Sequence, residues 1–186
     1  MREEWVVLVD DEDRELGIAA KRDVHHAETP LHRAFSLFLF DDEGRTLLQL
    51  RALAKRTWPG IWSNGCCGHP GPGETTLEAV RRRCLEELGT EPLEPWIALP
   101  DYRYRAELDG VVENEICPVV VARIAPEALR PDPGEVGDVR WLTWQGFLDD
   151  VVARPGGWSP WAVEEARRLD ADARFRDWLA SSTARR

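Results

Sequence analysis

The chain has 186 residues, 43% of them apolar and 31% charged, with a formal net charge of −10 at pH 7. That length fits a single domain with a sizeable buried core. The acidic balance argues against a nucleic-acid partner, which needs a concentrated basic surface.

No apolar run approaches the ~20 residues of a membrane span. The opening Met1-Arg2-Glu3-Glu4-Trp5 lacks the basic-then-apolar layout of a signal peptide. A cytoplasmic location is therefore expected, with no membrane contact. The cysteines at 66, 67, 84 and 117 include an adjacent pair and no Cys-x-x-Cys. That pattern speaks for reduced thiols, not a disulfide framework or a cysteine zinc ribbon.

Residues 5–9 read as a strand, 10–14 as a polar turn and 16–21 as a second strand, so a hairpin opens the fold. His25 and His26 precede a turn at Thr29-Pro30, and His32 follows it. One histidine alone is more often a satisfied residue than a ligand, but three of the chain's four stand within eight residues of a turn region. The apolar run 34–40 is broken by Asp41-Asp42-Glu43-Gly44 and resumes over 45–51, the clearest hairpin in the chain. Arg51 and Lys55 follow at its exit, where a charge pair is usually solvated.

Ser63-Asn64-Gly65-Cys66-Cys67-Gly68-His69-Pro70 sets thiols and an imidazole just ahead of a predicted helix over 74–88. Thr75 and Thr76 can cap it, Glu74 and Glu78 suit its positive end, and Gly89 supplies the stop. Neighbouring residues of an extended segment face opposite ways, so only one of Cys66 and Cys67 can enter a site. Arg83 and Glu87 leave one helix face a turn apart, which by itself reads as an ordinary i,i+4 ion pair.

Residues 96–108 and 111–124 are predicted extended segments joined by the hairpin signal Asp109-Gly110. Glu113 and Glu115 point to one face and Asn114 to the other. Two carboxylates facing an interior repel unless a cation or a shared proton sits between them. A Pro/Gly-rich loop over 130–137, a strand over 138–142 and a Thr-capped helix over 143–152 follow, ended by Pro155-Gly156-Gly157. Ser159-Pro160-Trp161 has the cap-then-Pro signature of one further amphipathic helix, running to about 179 with a frayed end over 180–186.

The spacing from Gly68 through Glu74 to Arg82-Arg83-Cys84-Leu85-Glu86-Glu87-Leu88-Gly89 resembles the Nudix box, with Arg83 in place of the first helical Glu and Thr90 in place of the last apolar residue. The Asn64 to Pro70 lead-in resembles the type I isopentenyl-diphosphate isomerase family. Further likeness lies in His25 and His32, in Arg51-Ala52-Leu53-Ala54-Lys55, in Trp58-Pro59-Gly60-Ile61-Trp62, in Tyr102-Arg103-Tyr104-Arg105, in Glu113-Asn114-Glu115 and in Ser159-Pro160-Trp161. Together these span roughly residues 5 to 175 in order.

The resemblance implies an α/β fold: a Nudix-like α/β/α sandwich with a mixed sheet and N-terminal hairpin additions, one domain over 1–186 with a core over about 32–165. It implies a 1,3-allylic shift that interconverts isopentenyl and dimethylallyl diphosphate. Cys67 and Glu115 would be the acid and base, Tyr104 would hydrogen-bond Glu115, and Trp161 would face the developing carbocation.

By the same resemblance His25, His32, His69, Glu113 and Glu115 ligate one divalent metal, Mn²⁺ or Mg²⁺, with Zn²⁺ also admissible. A second ion, Mg²⁺, would join the substrate diphosphate to Glu87 and a main-chain carbonyl near Cys67. Lys21, Arg51, Lys55 and Arg83 would neutralise the diphosphate. His26 matches nothing in the family. The expected partner is a small allylic or homoallylic diphosphate, met by a monomer or a homodimer. The rivals are a Nudix hydrolase acting on a diphosphate-containing molecule and a non-catalytic metal- or diphosphate-sensing domain.

Overall fold

Residues 4–183 are described by a computed structural model. In chain order it has β1 (Trp5–Val9), β2 (Glu15–Ala20), α1 (Lys21–Val24), β3 (His32–Arg33), β4 (Phe35–Phe40), β5 (Arg45–Arg51), β6 (Trp62–Ser63), β7 (Cys66–Gly68) and α2 (Thr76–Leu88). Then come β8 (Leu93–Leu99), β9 (Arg103–Leu108), β10 (Val111–Ile116), β11 (Val119–Arg123), β12 (Val136–Thr143), α3 (Trp144–Ala153), α4 (Pro160–Ala171) and α5 (Ala173–Thr183).

Side chains alternate across β4, whose residues are all buried. Phe35, Leu37 and Leu39 pack with Ala79, Val80, Cys84 and Leu88 of α2. Phe38 and Phe40 pack against Trp144, Phe147 and Phe175 of α3 and α5. The sheet β12-β5-β4-β11-β8, with β6 and β7 alongside, thus lies between α2 on one face and α3, α4 and α5 on the other. It is mixed, because β11 runs parallel to β4 while β5 runs antiparallel. A second sheet has the order β2-β1-β3-β10-β9 and carries the opening hairpin at its edge.

Both long extended segments divide between these sheets. The segment over 111–124 breaks at Cys117-Pro118 into β10 and β11, and the one over 96–108 breaks at residues 100–102 into β8 and β9. Pro118 has no N–H to continue a ladder. Its carbonyl accepts from Ser36 N at 3.2 Å and the Cys117 N–H bonds Tyr102 O at 2.9 Å, so both crossings lie side by side.

The single helix expected after Pro160 is likewise two. Asp172 ends α4 and its carboxylate accepts from the Phe175 N–H at 3.0 Å, capping α5. Residues 180–183 continue α5, so that part of the expected fray is helical; 184–186 and 1–3 lie outside the described residues. Among the described residues no helix is long and apolar enough to cross a membrane.

Candidate active site

A cavity of ≈ 560 Å³ is lined from both sheets and from α2 and α4, and Cys67, His69, Tyr104, Glu115 and Trp161 all stand on its wall. Register puts its polar side together. Glu115 pairs in parallel with His32 and antiparallel with Tyr104, so these three form a row across the second sheet. Glu113 and Glu115, two apart on β10, share one buried face.

His25, His32, His69 and Glu115 offer ligand atoms all within 4.8 Å of one another. The three rings form a triangle with centroids 5.1, 5.4 and 5.1 Å apart. The His32 Nδ1–H donates to Pro30 O at 2.9 Å, which leaves the lone pair on Nε2. Buried His25 Nε2, His32 Nε2 and His69 Nδ1 have no hydrogen-bond partner. Buried polar atoms left bare in this way are costly alone and fit a cation among them. Glu113 stands at the margin, its Oε2 3.0 Å from His25 Nε2 but without hydrogen-bond alignment. Four of the five ligands expected from the sequence therefore meet, with Glu113 beside them.

Charge is unequally spread here. Burial drives the His69 imidazole down to about 3, so it rests neutral. Burial opposes ionisation of Glu115, yet the His32 ring, its Nε2 3.5 Å away, and the His69 Nε2 at 3.1 Å outweigh it and hold the carboxyl well below its usual range. Burial, reinforced by Glu115 and Glu113, pushes the Tyr104 phenol well above its ordinary value. The hydrogen bond expected from Tyr104 to Glu115 is not formed, and among the described residues its hydroxyl has no partner. Its ring instead lies 5.9 Å from Tyr102 and 5.6 Å from Trp161.

Cys66 and Cys67 diverge as alternation requires, Cys66 into the core beneath α2 and Cys67 into the cavity. Burial, with the Glu165 carboxyl adding to it, pushes the Cys67 thiol up to about 12. It is a neutral thiol at rest. Its S–H donates to Asn64 Oδ1 at 3.2 Å, and Asn64 is pinned by donating to Leu37 O at 3.1 Å. The Ser63 hydroxyl donates to the same Asn64 oxygen at 2.9 Å and accepts from Trp161 Nε1 at 3.1 Å. One chain of hydrogen bonds therefore fixes both the thiol and the indole. Gly68 is required beside them, because a Cβ there would stand 2.9 Å from Arg83 Cγ and 3.1 Å from Phe35.

Lys21, Arg51, Lys55 and Arg83 all reach the cavity wall, and each already has partners. Lys21 Nζ pairs with Glu4 at 2.6 Å, Lys55 pairs with Glu135, and Arg83 pairs with Glu87 and lies 3.4 Å from both Glu4 and Glu135. Arg51 donates to the carbonyls of Thr57 and Trp58 at 2.8 and 3.0 Å, bracing the loop that holds Trp58 in a left-handed backbone conformation (φ 51°). Glu87 is buried behind Arg83, with Lys55 Nζ 4.0 Å away. Glu74 and Arg82 form a latch: Arg82 holds both Glu74 oxygens at 2.7 and 2.8 Å and the His69 carbonyl at 3.1 Å.

A family profile described as the NUDIX domain matches residues 30–162. The chain is 54% identical over 171 residues to the isopentenyl-diphosphate Delta-isomerase of Mycolicibacterium vanbaalenii, covering 90% of this chain and 92% of the relative. It is 43% identical over 181 residues to the protein of the same name from Klebsiella pneumoniae subsp. pneumoniae, covering 97% and 98%. The chain belongs to the isopentenyl-diphosphate Delta-isomerase family. Its Nudix fold also resembles two solved structures: DR0079 of Deinococcus radiodurans (TM-score 0.70, 23% identity, 89% and 98% of the two chains) and the MutT protein of Methanosarcina mazei (TM-score 0.62, 21% identity, 77% and 96%).

In this family member several residues of the cavity region lie outside the site residues expected from the sequence. Asn64 stands in the quoted motif and had the signal of lying three residues before Cys67. Ser36 and Glu135 line the cavity with nothing local in the sequence to mark them, whereas Trp58, quoted within a family-like run but given no role there, closes on Trp161 at 5.2 Å.

Proposed function

We infer that the protein interconverts isopentenyl diphosphate and dimethylallyl diphosphate, with Cys67 and Glu115 as the proton-transferring pair. The observation that carries this is one cavity holding a protonated thiol and an ionised carboxylate on its wall, in a chain whose relatives bear the isomerase name. A 1,3-allylic shift adds a proton at one end of a three-carbon unit and removes one at the other. A resting donor and a resting acceptor on a shared wall meet that requirement. Trp161 supplies an aromatic face for positive charge, worth ~2 kcal/mol or more in a dry site, and the cluster of Trp58, Trp161, Ala162 and Tyr104 keeps water out.

His25, His32, His69 and Glu115, with Glu113 at their edge, would hold one divalent metal, Mn²⁺, Mg²⁺ or Zn²⁺. When bound, it would supply fixed positive charge beside Glu115. Lys21, Arg51, Lys55 and Arg83 would bind the diphosphate, which exchanges with Glu4 and Glu135 for the same cationic heads. Mg²⁺ would accompany the diphosphate near Glu87 and the Cys67 main chain.

The hydrolase reading has the shared fold behind it and little else. Arg83 stands where a hydrolytic Nudix box carries a carboxylate, and its ion pair with Glu87 occupies that helix face. Incubation with isopentenyl diphosphate and Mg²⁺, followed by proton NMR, tests the inference. The paired methyl signals of the dimethylallyl product are expected, whereas unchanged substrate or free phosphate would defeat it. Glu115→Gln should fold, lose turnover and hold less divalent metal by elemental analysis.

A further inference from the structure

Ser159 precedes α4 in the position where a serine side chain ordinarily accepts from a main-chain N–H of the first turn. It makes no such bond. Its hydroxyl, fully buried, lies instead 2.9 Å from the Ser63 hydroxyl, 96 residues away in the chain. The Ser159 N–H donates to the Trp62 carbonyl at 2.8 Å, so main chain and side chain both tie the start of α4 to β6. The serine of the cap-then-Pro signature thus serves a distant strand and not its own helix.

Every hydrogen in this group has one place. Asn64 Nδ2 faces two carbonyls, Leu37 O at 3.1 Å and Cys66 O at 3.4 Å, so the atom turned to Ser63 and Cys67 is Oδ1, which can only accept. Ser63 has one hydrogen, and Asn64 takes it. Its two lone pairs then receive the Trp161 Nε1–H and the Ser159 O–H. Ser63, Asn64, Ser159 and Trp161 are all buried, so no water competes for these bonds.

We propose that Ser63, held by Ser159, is the positioning residue that fixes Trp161 and Cys67 relative to each other for the isomerisation. Trp58 at 5.2 Å and Tyr104 at 5.6 Å confine the indole by packing, which lets a ring slide and tilt; the bond from Nε1 is the directed restraint. An aromatic face attracts a cation only when the charge lies over the ring. The Cys67 sulfur must likewise stand at the carbon with which it exchanges a proton. Ser63 meets both needs from one hydroxyl, reaching the indole directly and the thiol through the shared Asn64 oxygen. No proton passes through the group; it holds geometry.

This rests on the roles proposed for Trp161 and Cys67. The experiment compares Ser63→Ala, Ser63→Thr and Ser159→Ala for folding, kcat and KM with isopentenyl diphosphate and Mg²⁺. Ser63→Ala should keep KM and lose about ten-fold in kcat, the order expected when a buried N–H loses its acceptor. Ser63→Thr keeps the hydroxyl on a residue suited to a strand and should recover most of that loss. Ser159→Ala should lose about three-fold, and adding it to Ser63→Ala should cost nothing further, because Ser159 acts through Ser63. A diphosphate ester with a tertiary ammonium where the positive charge develops should bind Ser63→Ala about ten-fold more weakly than it binds the parent, while inorganic diphosphate binds both alike.

Parent kcat in folded Ser63→Ala or Ser159→Ala, losses that multiply in the double variant, or equal weakening of the two diphosphates would each overturn the proposal. If Ser63→Ala does not fold, Ser159→Ala decides with Ser63→Thr: an unchanged kcat in Ser159→Ala overturns it, and a three-fold loss at parent KM beside a near-normal Ser63→Thr supports it. Trp161→Leu separates the two levels. If it loses kcat and ammonium affinity while Ser63→Ala keeps both, only the positioning role fails; if it keeps both, the inferred role of Trp161 fails and the positioning role with it.

Discussion

Cys66 and Cys67 differ by one position and by everything around them. Cys66 is sealed under α2 with Leu37 and Cys84, while Cys67 bonds Asn64 on the cavity wall. Cys67→Ala is expected to abolish isomerisation with little change in folding. Cys66→Ala should keep most turnover and lose about 1 kcal/mol of stability as a small buried group is deleted; equal loss of activity from both would contradict the assignment. Glu86, half-exposed and bonded to Arg83 at 2.9 Å, follows the Nudix box but touches neither Cys67 nor Glu115. Glu86→Gln should therefore be nearly silent in the same assay in which Glu115→Gln is inactive. Residues of this kind were legible because cysteine, histidine and paired glutamates stand out by type and spacing. Ser36, Glu135 and Glu165 were not, since a serine in an apolar strand or a glutamate on a charged helix gains meaning only from what lies across from it.

At the scale of elements, α2 formed as its sequence requires. Thr75 Oγ1 accepts from Glu78 N and Glu78 accepts from the Thr75 N–H at 2.8 Å, a capping box, and Gly89 closes the helix at φ 71° where a Cβ would stand 2.6 Å from Arg130. Thr75→Ala should lower stability by about 1 kcal/mol and the thermal midpoint by about 2–4 °C, measured by calorimetry, with kcat unchanged. A loss of kcat at full stability would show that the cap serves the site directly. The β-hairpins over 5–20, 35–51 and 103–116 were also legible, through alternation and turn residues. The division of 96–108 and 111–124 between two sheets was not, because alternation continues across Cys117-Pro118 whichever sheet the strand joins. The break at Asp172 was hidden for a related reason: an aspartate in a charged helix reads as solvated until its carboxylate is seen capping the next turn.

The whole molecule brings a net charge of −10 to an anionic substrate, so the cations that matter must converge, and Lys21, Arg51, Lys55 and Arg83 do so on one cavity. Its stability should carry the mark of the buried acid behind that cavity. Glu165 is raised from 4.5 to about 8 in the fold. Between those values the unfolded chain has released this proton and the folded chain has not, so stability from this group falls as pH rises through that window. Glu165→Gln should flatten the decline of the thermal midpoint between those two pH values, and an unchanged slope would contradict the buried acid. The central claim is that the cavity moves protons on carbon and leaves phosphorus alone. Isopentenyl diphosphate incubated with the protein and Mg²⁺ in deuterated water should yield dimethylallyl diphosphate carrying deuterium in a methyl group, with no phosphate released. Phosphate or diphosphate liberated from an unlabelled carbon skeleton would contradict it.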